Sequence, residues 1–360
     1  MKAAIFYAPK DLRIEEVPDP VAGPGELVVD IGAATTCGTD LKSYMRGHPA
    51  IFPVLPSRFG HEFAGVVSEV GEGVTTFKIG DHVVCGNTAP CGNCFYCSID
   101  RQSLCENLFF LHGAFAERIL VPAIIASKNT YKLPHSVPFA EAAIVEPLAC
   151  VVHGIDVAPI RVGDTIVVNG AGSIGLMFTR LATLRGASVI STDLSDERLA
   201  VARQMGAVET INVRNFADPV AEVRRRTPGN RGADVAVEAV GLPETWEQTI
   251  RELRPGATAI LFGGAKGGSS ISVDATSMHY SEYTLKGVFH HAPRYVRTAA
   301  SLLANRQVDG RLMLTEVRPL ERLVETLEDM SQQRGLKYGI VSGIPRETAT
   351  AAGPAVQVGV

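Results

Sequence analysis

The chain has 360 residues, of which 46% are hydrophobic and 20% charged, and its formal net charge is −4. This length exceeds one ordinary hydrophobic core and predicts two domains. No dense Lys/Arg cluster indicates nucleic-acid binding, the apolar runs are too short to span a bilayer, and Met1–Phe6 is strand-like rather than typical of a signal peptide. We expect a cytoplasmic protein that binds a small molecule and neither nucleic acid nor a membrane.

The first part of the chain, to about Ala126, predicts an all-β domain. Short runs such as Glu26–Ile31 and Ala64–Val70 are separated by clusters of Gly and Pro. This pattern favours a barrel-like fold, although a sandwich would give nearly the same one.

From about Ile155 the pattern changes to alternating strands and helices. Strands are predicted at Thr165–Asn169, Ser188–Asp193, Thr210–Asn212, Ala233–Glu238 and Thr258–Phe262. Helices are predicted at Ser173–Leu184, Asp196–Met205, Pro219–Arg226 and Glu244–Arg254. This order predicts an α/β domain with a doubly wound parallel sheet.

The predicted domain boundaries follow from this change of pattern. Residues 1–154 form the first domain, with a cysteine-rich lobe at about 85–110, and residues 155–291 form the second. Residues 292–345, with helices at Val296–Ala304 and Leu320–Met330 and a strand at Tyr338–Val341, are expected to return to the first domain. Residues 346–360 are rich in Ala, Gly, Pro and Val and are predicted to be a flexible tail.

A glycine motif lies at the start of the second domain. Gly170, Gly172 and Gly175 form G-x-G-x-x-G between a predicted strand and a predicted helix. The first glycine permits a tight turn, the second admits a pyrophosphate, and the third lets helix and strand approach. Asp193 ends the next strand, about 20 residues further on, where a carboxylate would bind a ribose 2′-hydroxyl. The motif predicts a dinucleotide site; a purely structural glycine turn is the alternative.

Five of the seven cysteines fall between positions 85 and 105. Cys91, Cys94, Cys97 and Cys105 have the spacing C-x-x-C-x-x-C-x₇-C, which can close a tetrahedral shell of four thiolates around a structural zinc ion. An iron–sulfur cluster is the competing interpretation, because C-x-x-C-x-x-C also occurs in ferredoxins. Cys85 lies outside this spacing and is predicted to be a buried strand residue.

A second metal site can be assembled from separate motifs. Cys37, His61, Glu62 and Glu146 offer the thiolate, imidazole and carboxylate ligands of a catalytic zinc ion, which takes three protein ligands and leaves one position open. Each of these residues alone would be an ordinary buried side chain.

Taken together, these motifs resemble the zinc-dependent medium-chain alcohol/polyol dehydrogenases, in particular the sorbitol and threonine dehydrogenase branch. The resemblance is carried by Cys37–Asp40, Gly60–Glu62, the four-cysteine lobe, Glu146–Ala149, Gly170–Gly175 and Lys286–Phe289. It implies a GroES-like β-barrel catalytic domain, a Rossmann domain and a homo-oligomer, either a tetramer or a dimer.

The resemblance also implies a role for each motif residue. Cys37, His61 and Glu62 would bind the catalytic zinc, Glu146 would bind it or hold its water, and Thr39 would take the alcohol proton. The residues that would border NAD are Cys150, Gly170, Gly172, Ser173, Ile174, Gly175, Asp193, Arg198, Phe262, Gly263, Gly264, Val288, Phe289 and His290. The implied activity is hydride transfer between NAD(H) and a secondary alcohol/ketone pair of the polyol, cyclitol or amino alcohol class.

Two positions depart from the family pattern. Lys42 stands where many relatives carry a histidine that passes the proton to solvent, and His290 stands where sorbitol dehydrogenases carry a substrate-binding arginine. These departures leave the substrate open. The alternative function is a zinc-stabilised nucleotide-binding sensor or structural protein without catalysis.

Overall fold

The computed structural model describes residues 1–49 and 51–343, so the predicted tail at 346–360 lies outside the described residues. Within the described residues the strands, in chain order, are β1 Lys2–Ala8, β2 Asp11–Glu16, β3 Leu27–Thr35, β4 Ser57–Arg58, β5 Phe63–Val70, β6 His82–Cys85, β7 Thr88–Ala89, β8 Phe109–Phe110, β9 Arg118–Val121, β10 Thr130–Lys132, β11 Thr165–Asn169, β12 Ser188–Asp193, β13 Glu209–Asn212, β14 Ala233–Glu238, β15 Leu253–Leu261, β16 Thr284–Gly287, β17 Leu314–Pro319 and β18 Lys337–Val341.

The helices complete the set of elements. They are α1 Gly38–Arg46, α2 Phe95–Ser98, α3 Ala123–Lys128, α4 Phe139–Ala142, α5 Val145–Val157, α6 Ser173–Leu184, α7 Asp196–Gln204, α8 Pro219–Arg225, α9 Pro243–Arg251, α10 Ala275–Tyr280, α11 Pro293–Ala304 and α12 Leu323–Ser331. Short 3₁₀ turns lie at Gln102–Leu104, Val213–Asn215, Pro228–Asn230, Gly310–Met313 and Leu320–Arg322. No helix in the described part of the chain combines the length and the apolar character needed to cross a membrane.

The chain divides into two compact units. The first comprises Met1–Ala89, Leu108–Glu146 and the described chain from Ala300 onward, and the second comprises Pro90–Asn107 and Pro147–Ala299. The cysteine-rich stretch therefore clusters with the second unit rather than with the β-rich first one.

The first unit is built on antiparallel strands around β3. β3 pairs with β5, β9 and β18, and the sheet continues through β6 and β10 on one side and β17 on the other. A smaller sheet has the order β2-β1-β4. The core between these strands is rich in aromatic side chains, with Phe6, Phe59, Phe63 and Phe115 almost fully buried.

Helix α1 interrupts the region that the sequence predicts to be all-β. Cys37 is its N-cap residue: the Cys37 Sγ atom accepts a bond from the N–H of Thr39, and the Asp40 carboxylate accepts one from the N–H of Cys37. Such a capping box stabilises a helix start. The sequence pattern misses the helix because its buried positions, Asp40, Ser43 and Tyr44, include no aliphatic residue and give no apolar periodicity.

The second unit contains the predicted doubly wound sheet. Its strand order is β13-β12-β11-β14-β15-β16, and every neighbouring pair is parallel. All five residues of β11 are buried, as expected for a central strand covered on both faces. The order reverses between β12 and β14 around β11, so the carboxyl end of β11 is the switch point where this class of sheet binds ligands.

Candidate functional site

Three of the predicted metal ligands come together in the first unit. The ligand atoms of Cys37, His61 and Glu62 lie within 4.8 Å of one another. Strand pairing explains the approach, because the N–H of Thr35 at the end of β3 donates to the carbonyl of Glu62 just before β5, at 3.1 Å. His61 and Glu62 are buried and Cys37 is half-buried. The β3–β5 ladder therefore holds a thiol, an imidazole and a carboxylate at one point.

Asp40 supports this cluster from the first turn of α1. Its Oδ1 atom lies 3.0 Å from His61 Nδ1, and its Oδ2 atom accepts the N–H of Cys37 at 2.9 Å. Burial acts to lower the pKa of His61, but the carboxylate of Asp40 outweighs burial and raises it well above its ordinary value. With Nδ1–H directed at the carboxylate, the Nε2 lone pair is available to a metal ion, which is the usual arrangement of a metal-binding histidine.

The two carboxylate oxygens of Glu62 have different surroundings. Oε2 accepts hydrogen bonds from the hydroxyl of Thr35 and from the ammonium group of Lys337. Oε1 is buried and has no hydrogen-bond partner among the described residues. A buried carboxylate oxygen without a partner is costly, and here it belongs to the same cluster as a thiol and an imidazole. The donor set and the unpartnered oxygen fit a zinc ion.

Lys337 is a buried cation that the sequence analysis does not single out. It begins β18, and besides Glu62 its ammonium group donates to the carbonyl of Thr36 at 2.6 Å. Its side chain is 3% exposed. Burial acts to lower the pKa of Lys337, but the charges of Glu62 and Cys37 raise it. The signal in the sequence is a lysine directly before the predicted strand at Tyr338–Val341.

The other residues predicted to lie at the metal site are outside the cluster of Cys37, His61 and Glu62. Glu146 is buried in the first turn of α5 and is not a member of the three-residue cluster. Thr39 is half-buried in the first turn of α1, next to Cys37. Lys42, which replaces the family's proton-passing histidine, is exposed on the same helix.

The four cysteines of the lobe also converge. Their sulfur atoms lie within 4.8 Å of one another, with Cys94 and Cys105 3.8 Å apart and Cys91 and Cys105 3.5 Å apart. Zinc–sulfur bonds of about 2.3 Å in a tetrahedron would place the sulfurs about 3.8 Å apart. The backbone N–H of Asn93 lowers the pKa of Cys91 to about 6, which favours a thiolate. This geometry fits a structural zinc site.

Cys85 is separate from the lobe, as the sequence predicts. It is fully buried on β6, and burial raises the pKa of its thiol to about 12. The hydroxyl of Thr130 donates to its sulfur at 3.4 Å. Cys85 is therefore a packing residue rather than a ligand.

We predict that Cys97→Ser will lose about one zinc ion per chain and unfold more easily, because a structural zinc site contributes directly to folding free energy. Metal content by mass spectrometry and the urea unfolding midpoint are the measurements. Cys85→Ser is the matched control and should keep its full metal content. Unchanged metal content in folded Cys97→Ser would exclude the lobe as a zinc site.

The glycine turn has the geometry that the motif predicts. Gly170 has φ +96°, and a side chain at Gly175 would place its Cβ only 1.7 Å from the carbonyl oxygen of Gly170. A Cβ at Gly172, by contrast, would meet nothing within 4 Å. Gly172 is the N-cap of α6 and provides no side-chain cap, so first-turn N–H groups remain for an anion. Ser173 and Ile174 occupy that first turn, beside the open face at Gly172.

Asp193 lies beside the glycine turn at the end of β12. Its Oδ2 atom accepts the N–H of Ala171 at 2.7 Å, and its Oδ1 atom accepts the N–H of Ser195 at 2.9 Å. Ser195 is the N-cap of α7 and accepts the N–H of Arg198. The carboxylate of Asp193 therefore holds the glycine turn in place. Arg198 is half-buried in the first turn of helix α7.

A cavity of about 600 Å³ in the second unit collects most of the predicted nicotinamide-side residues. Its lining includes Phe262, Gly263, Gly264, Val288 and Phe289. Cys150 and His290 also approach each other, with Sγ and a ring nitrogen within 4.8 Å. The backbone of His290 is left-handed, with φ +57°, a conformation that histidine adopts more often than most residues.

Glu238 shapes this region and is absent from the sequence-based prediction. It ends β14 fully buried, and its Oε1 atom accepts the N–H groups of Val240 and Gly241 and the hydroxyl of Thr245. Its Oε2 atom accepts the N–H of Gly263 at 3.1 Å. One carboxylate thus fixes two loops at the carboxyl edge of the sheet. In the sequence, the indication of this role is a glutamate at the end of an apolar strand.

Comparison with known proteins agrees with this geometry. The family model for the alcohol dehydrogenase GroES-like domain matches residues 23–135, and that for zinc-binding dehydrogenases matches residues 173–305. Sorbitol dehydrogenase of Bacillus subtilis is 31% identical over 335 residues, which cover 91% of this chain and 93% of that protein.

Two solved structures show the same fold. A protein described as a zinc-binding dehydrogenase, from Sinorhizobium meliloti and bound to NADP, has a TM-score of 0.87 at 29% identity, covering 94% of this chain and 98% of that one. The 2R,3R-butanediol dehydrogenase of B. subtilis has a TM-score of 0.85 at 27% identity, covering 96% and 99%.

These matches decide between the interpretations left open above. Zinc, rather than an iron–sulfur cluster, is the metal of the matching family, and the non-catalytic alternative finds no support among relatives such as sorbitol dehydrogenase and butanediol dehydrogenase. The paired metal clusters and the glycine turn supply the matching chemistry. The chain belongs to the zinc-dependent medium-chain alcohol and polyol dehydrogenase family.

Proposed function

We propose that this chain transfers a hydride between NAD(H) and a secondary alcohol/ketone pair, with a polyol as the alcohol. The observation that carries the proposal is the cluster of Cys37, His61 and Glu62, in which one buried carboxylate oxygen has no partner among the described residues. A zinc ion held by these three side chains would keep one position open to a substrate. A non-catalytic binding protein needs no such open site.

Each residue of the site has a proposed role. Cys37, His61 and Glu62 would hold zinc, and Glu146 would bind either the metal or its water. Zinc bound there supplies a Lewis acid that lowers the pKa of the alcohol. The hydroxyl of Thr39 takes the alcohol proton, while Asp40 keeps the imidazole of His61 in its metal-binding orientation.

The proposed cofactor site uses the glycine turn and the cavity of the second unit. N–H groups at the start of α6 bind the pyrophosphate, and Asp193 binds the adenosine ribose. Arg198 lies on the adenosine side. The residues at Phe262–Gly264 and Val288–His290, together with Cys150, border the nicotinamide.

We predict that NAD will support turnover at least about tenfold better than NADP, because a 2′-phosphate next to the carboxylate of Asp193 brings two negative groups together. Asp193→Asn should narrow this preference. Steady-state kcat/KM with both cofactors, measured by absorbance of reduced nicotinamide against a panel of polyols, cyclitols and amino alcohols, is the test.

Asp196→Ala is the control for that experiment. Asp196 lies nearby in α7, where its Oδ1 atom accepts a hydrogen bond from the side-chain amide of Asn212 at 2.9 Å. Removing its carboxylate should leave the preference for NAD over NADP unchanged. Equal or better turnover of the wild type with NADP would contradict the role of Asp193. No reduction of either cofactor by any alcohol would contradict the proposed reaction itself.

We further propose a cytoplasmic homo-oligomer, a tetramer as the family resemblance suggests. The location is supported by the cysteines, which form no disulfide in the described part of the chain and are instead grouped for metal binding. Sedimentation of the purified protein measures the oligomeric state directly.

A further inference from the structure

His112 lies next to the metal cluster without belonging to it. The residues that follow it in the chain, Gly113 and Ala114, both donate their N–H groups to the carbonyl of Gly60, at 2.8 and 3.2 Å. Gly60 directly precedes His61, so these two bonds hold the chain at His112 beside the metal-binding histidine. The positive φ angles of Gly60 and Gly113, +89° and +113°, make this close approach possible.

The ring of His112 is packed among aromatic side chains, and its polar contact within the described chain is a weak one with the carbonyl of Ile51. Its centroid lies 4.9 Å from that of Phe52 and 6.2 Å from that of Phe110, the latter nearly parallel. Both ring nitrogens are buried, and neither makes a hydrogen bond of ordinary geometry with any described residue. Buried polar atoms in native proteins are rarely left in this state.

The imidazole of His112 is uncharged at neutral pH. Burial lowers its pKa to about 4, while the carboxylate of Asp40 and the carbonyl of Ile51 act in the opposite direction. A neutral imidazole offers one donor nitrogen and one acceptor nitrogen. A hydroxyl both donates and accepts, so it can pair with either of these nitrogens.

We propose that His112 recognises a second hydroxyl of the substrate, on the carbon next to the one that is oxidised. This inference rests on the proposed function and makes it more specific. With one hydroxyl at the metal site and its neighbour hydrogen-bonded to His112, a vicinal diol gives one buried ring nitrogen a partner that a mono-alcohol does not supply. The rings of Phe52 and Phe110 keep the imidazole in place for that contact. The chain is thereby selective for vicinal polyols.

The test compares butane-2,3-diol with butan-2-ol, which differ by the one hydroxyl. We expect the wild type to favour the diol in kcat/KM, and His112→Phe to reduce the diol/mono-alcohol ratio by about tenfold or more, since it keeps an aromatic ring but loses both nitrogens. His112→Asn, which retains a donor and an acceptor, should restore part of the ratio. Zinc content and NAD binding are measured for each variant to establish that it is folded.

His82→Phe is the matched control. His82 is also a half-buried histidine of the first unit, and its Nδ1 atom has no hydrogen-bond partner among the described residues. Its ring stacks on that of His135, with centroids 3.9 Å apart, and lies tilted to that of Phe139 at 4.6 Å. It lies on β6 rather than beside Gly60, so its replacement should leave the ratio unchanged.

The outcomes separate this inference from the proposed function. An unchanged ratio in folded His112→Phe overturns the role of His112, although the enzyme is active. An equal loss with both alcohols also overturns it, because it would place His112 in proton transfer rather than in recognition. If no alcohol reduces NAD even in the wild type, the proposed function itself fails and the inference fails with it.

Discussion

Replacing His61 with alanine is expected to remove the catalytic metal and lower kcat/KM by about a thousandfold or more. The imidazole is one of the three side chains that meet in the Cys37, His61 and Glu62 cluster, and without it the cluster keeps two, fewer than the three protein ligands of a catalytic zinc site. The charge stabilisation that a bound zinc ion supplies is worth several kcal/mol of the activation barrier. Metal analysis should show about one zinc ion per chain, held by the cysteine lobe, instead of about two.

The cofactor site provides the control for this variant. The turn at Gly170–Gly175 and the carboxylate of Asp193 belong to the second unit and make no use of His61, so titration with NADH followed by fluorescence should give an unchanged affinity. Undiminished turnover in His61→Ala would show that the metal site lies elsewhere. Loss of both zinc ions would show that the variant had unfolded the lobe as well.

The second large effect is expected at Lys337. Lys337→Met should lower the free energy of unfolding by about 3–5 kcal/mol, because it leaves Glu62 buried and without its cation. The same change frees Oε2 of Glu62 to turn away from Thr35, so zinc binding and turnover should fall by about 10- to 100-fold, as for other residues that orient metal ligands. Urea denaturation followed by circular dichroism measures the first effect, and chelator competition the second.

A surface pair provides the comparison. Lys132 lies 2.8 Å from Asp81, but its side chain is 50% exposed. Lys132→Met should therefore cost less than about 1 kcal/mol and leave zinc binding intact. If Lys337→Met behaved in the same way, the buried ion pair would have no role in holding Glu62.

The sequence predicts the second unit closely because its strands are buried on both faces. Three strands have the predicted boundaries, namely Thr165–Asn169, Ser188–Asp193 and Ala233–Glu238. The helix at Ser173–Leu184 also begins and ends at the predicted residues. A continuous apolar run bounded by turn residues is a strong indication of a buried strand. The first residues of β15 are missed, since Pro255 and Gly256 lie inside the strand and are typical of turns.

The metal ligands could be predicted, but not the residues that hold them. Cys37, His61 and Glu62 are chemically distinctive and occur in recognisable motifs. Lys337 is 275 residues from Glu62 in the chain, and only the pairing of β18 with β3 brings the two together. Contacts of this kind depend on tertiary structure, and no local pattern of residues encodes them.

His112 illustrates a different limit of sequence reasoning. Its proximity to His61 depends on two backbone hydrogen bonds to Gly60, formed by residues more than fifty positions away. Nothing in its local sequence distinguishes it from the other histidines of the chain. Its missing hydrogen-bond partners become visible only when the burial of each ring nitrogen is known.

The central claim is that a hydride passes directly from a carbinol carbon to NAD at a site that needs zinc. The most direct test is oxidation of butane-2,3-diol that carries deuterium on its carbinol carbons, with mass spectrometry of the reduced cofactor. We predict one deuterium per NADH formed by the wild type, and a rate of NADH formation by His61→Ala that is lower by about a thousandfold or more. Reduced cofactor without deuterium, or no reduced cofactor from the zinc-loaded wild type with any alcohol, would contradict the account.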